Sequence, residues 1–302
     1  MTDEVRLKKL MVPKGKIDVV LDTDTFNEVD DQYAIAYMFH SKEKLNPVAI
    51  YAAPFLNEKS SSPKDGMEKS YNEIFKLLSM LGEKTNVFKG SEKYLDNEKT
   101  AVMSPAALDL IQRAKNYSSD NPLYVVSIAA ITNIASALIL SPEIADKIVV
   151  VWLGGHAHHY KDTNSFNMRQ DIAAARVVMQ SGVPFVQLPG MGVVSTFTIS
   201  KPELEYWLEG KNALCDYLSH KTIKEAEVYA KGQAWARVIW DVTAVAWLLN
   251  DNEKFMKSRI VPTYIPNYDS TYDFDNTGYP MRYVYHINRN ELMTDLIEKL
   301  IK

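Results

Sequence analysis

The chain has almost no cysteine, no long apolar run and no block of one charge. Each absence removes a class of protein. Among 302 residues only Cys215 is a cysteine, so no internal disulfide framework can form, and a reducing, cytoplasmic setting is the expectation. The longest apolar stretches fall far short of the ~20 residues a membrane helix requires, so no membrane partner is expected. Met1-Thr2-Asp3-Glu4 lacks the basic and then apolar order of a secretory leader. The net charge of −4, with no Lys/Arg cluster, is not the footprint of a nucleic-acid binder. No repeat, low-complexity segment or linker divides the chain, so residues 1–302 are expected to form one domain.

What is present is alternation. Short β-branched runs at Ile17 to Leu21, Pro47 to Ala52, Leu123 to Ile128, Ile148 to Leu153 and Phe185 to Leu188 read as strands. Between them lie helical patterns at Gln32 to Phe39, Met67 to Leu81, Leu108 to Ala114, Ile134 to Leu140 and Ile172 to Met179. Repeated β-α units of this spacing predict an α/β fold: a doubly wound, mostly parallel, Rossmann-like open sheet flanked by helices. The C-terminal half reads as more helical. Ser200 and Glu203 form a capping box, a helix is expected from Asp241 to Leu249, and Glu291 to Ile301 closes the chain after a strand at Arg282 to His286. Tyr264 to Pro280, dense in Tyr, Asp, Asn and Pro, reads as a long loop.

In such a sheet, ligands bind beyond the carboxyl ends of the strands. The first strand runs into Asp22-Thr23-Asp24-Thr25-Phe26-Asn27-Glu28-Val29-Asp30-Asp31, with four aspartates and a glutamate in ten residues. Crowded carboxylates repel one another unless a cation neutralises them, and hard oxygen donors favour calcium or magnesium over zinc. The plainer reading is helix capping by Asp30 or Asp31. His156-Ala157-His158-His159 invites a transition-metal reading, but neighbouring side chains on a turn rarely converge on one ion.

The acidic segment resembles the strand-end aspartate motif of the inosine/uridine-type nucleoside hydrolases, D-x-D-P-G-x-D-D, expanded here by two residues. Three later stretches resemble that family in the same order: Ile128-Ala129-Ala130-Ile131-Thr132-Asn133-Ile134-Ala135; Gly154-Gly155 with Ser165-Phe166-Asn167 and Asp171; and Trp240-Asp241. The resemblance implies a calcium ion (Ca2+) held by Asp24, Asp31, the Thr132 carbonyl and Asp241, with Asp22 supporting from behind. It implies hydrolysis of a ribonucleoside to ribose and free base through an oxocarbenium-like transition state. Asp24 would take the proton of the attacking water, while Asp30 and Asn167 bind ribose hydroxyls. It also implies a small-molecule substrate and a homodimer or homotetramer. Two positions depart from the family: Ser165 replaces a glutamate expected near the ribose 5′-hydroxyl, and Trp240 replaces a histidine expected to protonate the base. Base contact then passes to Trp240, by stacking, or to His158 or His159. Two rivals stand beside this reading. One is a haloacid-dehalogenase-type, magnesium-dependent phosphatase built on Asp22-x-Asp24; the other is a ribose-binding protein without turnover.

Overall fold

The computed structural model describes residues 1–302. Its strands are β1 (Ile17–Thr23), β2 (Leu45–Ala52), β3 (Asn86–Lys89), β4 (Leu123–Ser127), β5 (Ile148–Leu153), β6 (Phe185–Leu188), β7 (Thr198–Ser200), β8 (Ala236–Val238), β9 (Met256–Pro266) and β10 (Tyr272–Ile287). The helices are α1 (Asp3–Lys9), α2 (Asp30–Phe39), α3 (Pro63–Leu81), α4 (Pro105–Ala114), α5 (Thr132–Leu140), α6 (Phe166–Gln170), α7 (Ile172–Gln180), α8 (Lys201–Trp207), α9 (Ala213–Ala230), α10 (Val242–Trp247) and α11 (Arg289–Leu300). Eight strands form one sheet in the order β3-β2-β1-β4-β5-β6-β10-β9, parallel throughout except for the β10–β9 pair. The expected mostly parallel α/β sheet is what the chain forms. No helix is long and apolar enough to cross a membrane.

Side-chain alternation explains why both faces are covered. Val19 and Leu21 enter one apolar core and Val20 the other, so successive residues of β1 feed opposite faces. Helix α2 is buried along its whole length, which is why its sequence is apolar nearly all round. From β1 the chain runs outward to β2 and β3 on one side and to β4, β5 and β6 on the other. The strand order thus reverses between β1 and β4, the switch point where open α/β sheets bind ligands.

Two parts of the C-terminal half differ from the sequence expectation. Tyr264 to Pro280 is not a loop but the outer part of an antiparallel hairpin. Only its inner end joins the main sheet, with Arg282 opposite Val186 and Tyr283 opposite Gln187. The outer end carries exposed Asp275 and Asn276 and tolerates Pro280 and register shifts because it packs on no full sheet face. Helix α9 gave no clear periodic signal, since its buried stripe is made largely of small residues, among them Cys215, Ser219, Thr222 and Ala226. The capping box at Ser200 and Glu203 is present as read.

Candidate active site

Asp22, inside β1, is fully buried. Its Oδ1 accepts a hydrogen bond from Asn133 Nδ2 (2.8 Å) and its Oδ2 from Ser127 Oγ (3.0 Å), so both oxygens are committed to β4 and α5. Burial pushes this carboxyl up to about 7. Asp22 supports the strand ends and does not line the cavity described below. A phosphatase nucleophile at this position would have to reach the ligand, and Asp22 is fully buried and off the cavity wall. That removes the phosphatase reading.

Beyond β1 the expanded turn is closely held. The Asn27 amide donates to the Asp24 carbonyl (2.7 Å), Gln32 Nε2 to the Thr25 carbonyl (2.9 Å), and Asn57 Nδ2 to Asn27 Oδ1 (2.6 Å). The extra length is directed outward, where Phe26 lies under the ammonium groups of Lys69 and Lys221. Asn57 therefore has a definite place in the site, holding Asn27 from the end of the β2 connection.

Capping does not account for the acids. Helix α2 opens at Asp30 with Val29 as its N-cap and no side-chain cap bond, and α10 opens behind Asp241 with none either. Instead, carboxylate oxygens of Asp30, Asp31 and Asp241 lie within 4.8 Å of one another. Asp24 is 1% exposed, Asp30 2%, Asp31 0% and Asp241 4%, so water cannot relieve their repulsion. The Thr23 hydroxyl donates to Asp31 Oδ1 and Asn27 Nδ2 to Asp24 Oδ2 (3.2 Å), yet Asp30 Oδ1 and Asp31 Oδ2 have no partner. Burial first, and then repulsion from neighbouring carboxylates, holds Asp24, Asp30 and Asp241 well above the usual carboxylate range, and burial, against the Thr23 hydrogen bond, lifts Asp31 to about 7. An ionised cluster of this kind requires a cation, and the all-oxygen donor set with two orphaned oxygens fits a hard divalent ion.

These acids form part of the wall of a cavity of about 460 Å³. Asp24, Asp30, Asp31 and Asp241 lie on it, as do Asn167 and Trp240. Asn167 is held by its own amide, which donates to the Leu153 carbonyl (2.9 Å). The Gly154-Gly155 turn shapes the next part of the wall. A Cβ on Gly154 would come within 2.4 Å of the Trp152 ring, and Gly155 adopts φ +76° with Thr163 Oγ1 only 2.5 Å from where its Cβ would stand.

Three sequence expectations are corrected here. Thr132 is not on the cavity: it is the first residue of α5, where its carbonyl belongs to the helix ladder and its hydroxyl donates to Asp171 Oδ2 (2.7 Å). Ile128, just past β4, is the residue of that segment which reaches the wall. His158 and His159 also miss the cavity. The His159 side chain is exposed, and the His158 ring stacks on Tyr283 (centroids 4.0 Å) with Tyr264 and Tyr272 edge-on at 4.9 and 5.1 Å. The histidine that faces the cavity is His156, the first after the glycine turn. Its Nδ1 accepts from the Met191 amide (3.3 Å), which leaves the ring hydrogen on Nε2, 4.0 Å from Asp162 Oδ1. Gly190 lies beside both rings: a Cβ there would be in ordinary contact, 3.7 Å from His156 Nδ1 and 3.7 Å from the Trp240 ring. No periodicity marks His156, because it owes its position to the left-handed Gly155.

The aromatic enclosure of His158 has a consequence for stability. Burial lowers its pKa to about 4 in the folded chain, against 6.5 for a free imidazole. The unfolded chain binds the extra proton between those values, so this contribution is complete above about 6.5 and is lost as the pH falls through about 4. The loss should amount to about 1–2 kcal/mol, since the ring keeps some contact with solvent. Denaturant titrations of the parent and His158→Phe between pH 7 and 4 check this. The variant should show the shallower decline.

Comparison with known proteins places these features in a group. The model of the inosine-uridine preferring nucleoside hydrolases matches residues 19–273. A pyrimidine-specific ribonucleoside hydrolase, RihA, of Salmonella schwarzengrund is 30% identical over 155 residues, 49% of this chain and 49% of that protein. The chain thus spans about half the length of the curated relatives it matches. A purine-preferring ribonucleoside hydrolase from Gardnerella vaginalis superposes with a TM-score of 0.73 at 20% identity, covering 94% of this chain and 98% of that one. An inosine-uridine preferring nucleoside hydrolase from Bacillus anthracis gives 0.66 at 18% identity, covering 95% and 99%. At these identities the structural likeness establishes the fold.

Proposed function

The chain belongs to the inosine-uridine preferring nucleoside hydrolase family, and from that premise we propose that it hydrolyses the N-glycosidic bond of ribonucleosides with the help of one calcium ion. The observation that carries this reading is the buried group Asp30, Asp31 and Asp241, with two unpartnered carboxylate oxygens on the wall of a cavity large enough for a small ligand. Asp31 and Asp241, with Asp24 beside them and the carbonyl of Ile128 just past β4, would hold the ion. When bound, calcium supplies a lowered pKa to water and an anchor for vicinal hydroxyls.

The remaining chemistry belongs to the chain. Asp24, on the cavity wall with Asn27 Nδ2 on its Oδ2, accepts the proton of the attacking water. Asp30 and Asn167 take hydrogen bonds from the ribose hydroxyls and fix the ring. The surrounding carboxylates favour the positive charge that develops on the sugar as the C–N bond breaks. Trp240 offers its face to the departing base, and His156, through Nε2–H, is the donor placed to meet the base nitrogen.

The test is a base-release assay on purine and pyrimidine ribonucleosides, with calcium and after chelation. Release with calcium that falls at least about a hundredfold on chelation is the expected result. Tight ribose binding without release of any base would identify a binding protein instead.

A further inference from the structure

Among the charged side chains on the cavity wall, six are acidic (Asp24, Glu28, Asp30, Asp31, Glu58 and Asp241) and one is basic, Arg169. Glu28 is already answered by Arg237 at 3.1 Å. Arg169 is exposed and makes no ion pair. Its guanidinium rests over the Phe166 ring (5.0 Å), with one Nη1–H donated to the Asn164 carbonyl (3.3 Å). Most of its donor fork is left for something that is not protein.

Ser165 stands on the same wall, and its hydroxyl oxygen already accepts two main-chain hydrogen bonds, from the amides of Gly155 (2.8 Å) and Met168 (3.3 Å). With its acceptor capacity taken up, the hydroxyl can only donate outward. This wall, from Gly155 to Arg169, thus presents a cation and a committed donor, whereas the acids come from the β1–α2 turn and the start of α10. A ligand matching both walls carries hydroxyls at one end and an anion rich in acceptor oxygens at the other. The dianionic phosphate of a sugar ester has that character and fits the planar fork of arginine.

Resting on the hydrolase reading above, we propose that the substrates are ribonucleoside 5′-monophosphates, with the 5′-phosphate held by Arg169 and Ser165. The reaction keeps the same balance: water adds to the anomeric carbon, the C–N bond breaks, and the products are ribose 5-phosphate and free base. The phosphate ester is untouched.

The experiment compares kcat/KM for AMP, GMP, CMP and UMP with that for the matching nucleosides, in calcium, for the parent, Arg169→Lys and Arg169→Ala. The parent should prefer at least one monophosphate over its nucleoside by about 10- to 100-fold, the scale of a charge-assisted bidentate contact. Arg169→Ala should collapse that ratio, and Arg169→Lys should retain part of it. Because Arg169 is exposed on a short helix, both variants should keep the parent's melting temperature. Hydrolysis of nucleosides with no preference for monophosphates would overturn this inference and leave the hydrolase reading standing. A preference unchanged in Arg169→Ala would overturn the assignment of the residue. Release of base from neither class would sink both readings together.

Discussion

Asp241→Ala is expected to abolish divalent-cation binding and hydrolysis while making the cation-free protein more stable. Deleting a buried side chain usually destabilises. Here the deleted group is a carboxylate held against two others, raised in pKa first by burial and then by Asp30, Asp31 and Asp24. Its removal relieves a penalty that the cation-free fold carries. The gain in chelator should be about 1–3 kcal/mol at neutral pH, the scale of relief when an uncompensated buried charge is removed. In the parent, calcium at 100 times its dissociation constant should add about 2.7 kcal/mol, and Asp241→Ala should gain nothing. Thermal unfolding of both proteins in chelator and in calcium reads all four states. A normal calcium-induced shift in the variant would remove Asp241 from the ligand set. A large destabilisation in chelator would mean that the cluster is held together by shared protons and owes nothing to a cation.

The buried acidic cluster was legible in the sequence because the acids from Asp22 to Asp31 sit between an apolar strand and an apolar helix, where water cannot solvate them all. The element pattern carried the parallel sheet equally well: fully buried strands such as Ile148–Leu153 and a wholly buried helix such as α2 leave unmistakable apolar runs. Where burial is partial, the signal weakens. The outer β9–β10 hairpin is mostly exposed, so its composition follows solvent and mimics a loop, while α9 buries small residues that carry no strong period.

Within the site, side chains set by a strand end or a helix start lie on the cavity wall, among them Asp24, Asp30, Asp31, Asn167 and Asp241. Side chains set by the shape of a connection were not legible. Three histidines in four residues look equivalent as letters, and it is the turn at Gly155 that sends His156 to the cavity and His158 into the tyrosines. Thr132 shows a related limit. A strand-to-helix connection exposes main-chain oxygens only until the helix begins, so a shift of four residues separates Ile128, on the cavity wall, from Thr132, inside the helix. Asn57 was likewise beyond reach, since its partner Asn27 lies on the inserted part of the aspartate turn.

The departing base is where this chain differs most from its family, and a pair of substrates isolates its treatment. A natural base leaves poorly unless a donor meets its nitrogen, whereas p-nitrophenolate leaves without protonation. His156 and Trp240 share one wall of the cavity beside Gly190, so on the proposed reading both would act on the leaving group, while Asp24 would act on the water. Burial holds His156 below the ordinary imidazole pKa, so near neutral pH it acts as a neutral hydrogen-bond donor through Nε2. His156→Ala should therefore slow natural substrates by about 10²-fold, the scale of losing one positioned hydrogen-bond donor, and Trp240→Ala by about tenfold through lost stacking. On p-nitrophenyl riboside both variants should stay within about threefold of the parent. Asp24→Asn should cost about 10³-fold or more on natural and nitrophenyl substrates alike, because each must wait for the same water. His158→Phe should separate neither substrate, since its ring lies among tyrosines outside the cavity. If His156→Ala slowed the nitrophenyl riboside as much as the natural substrate, the histidine would be shaping the ribose pocket and the base would leave without a donor from the protein.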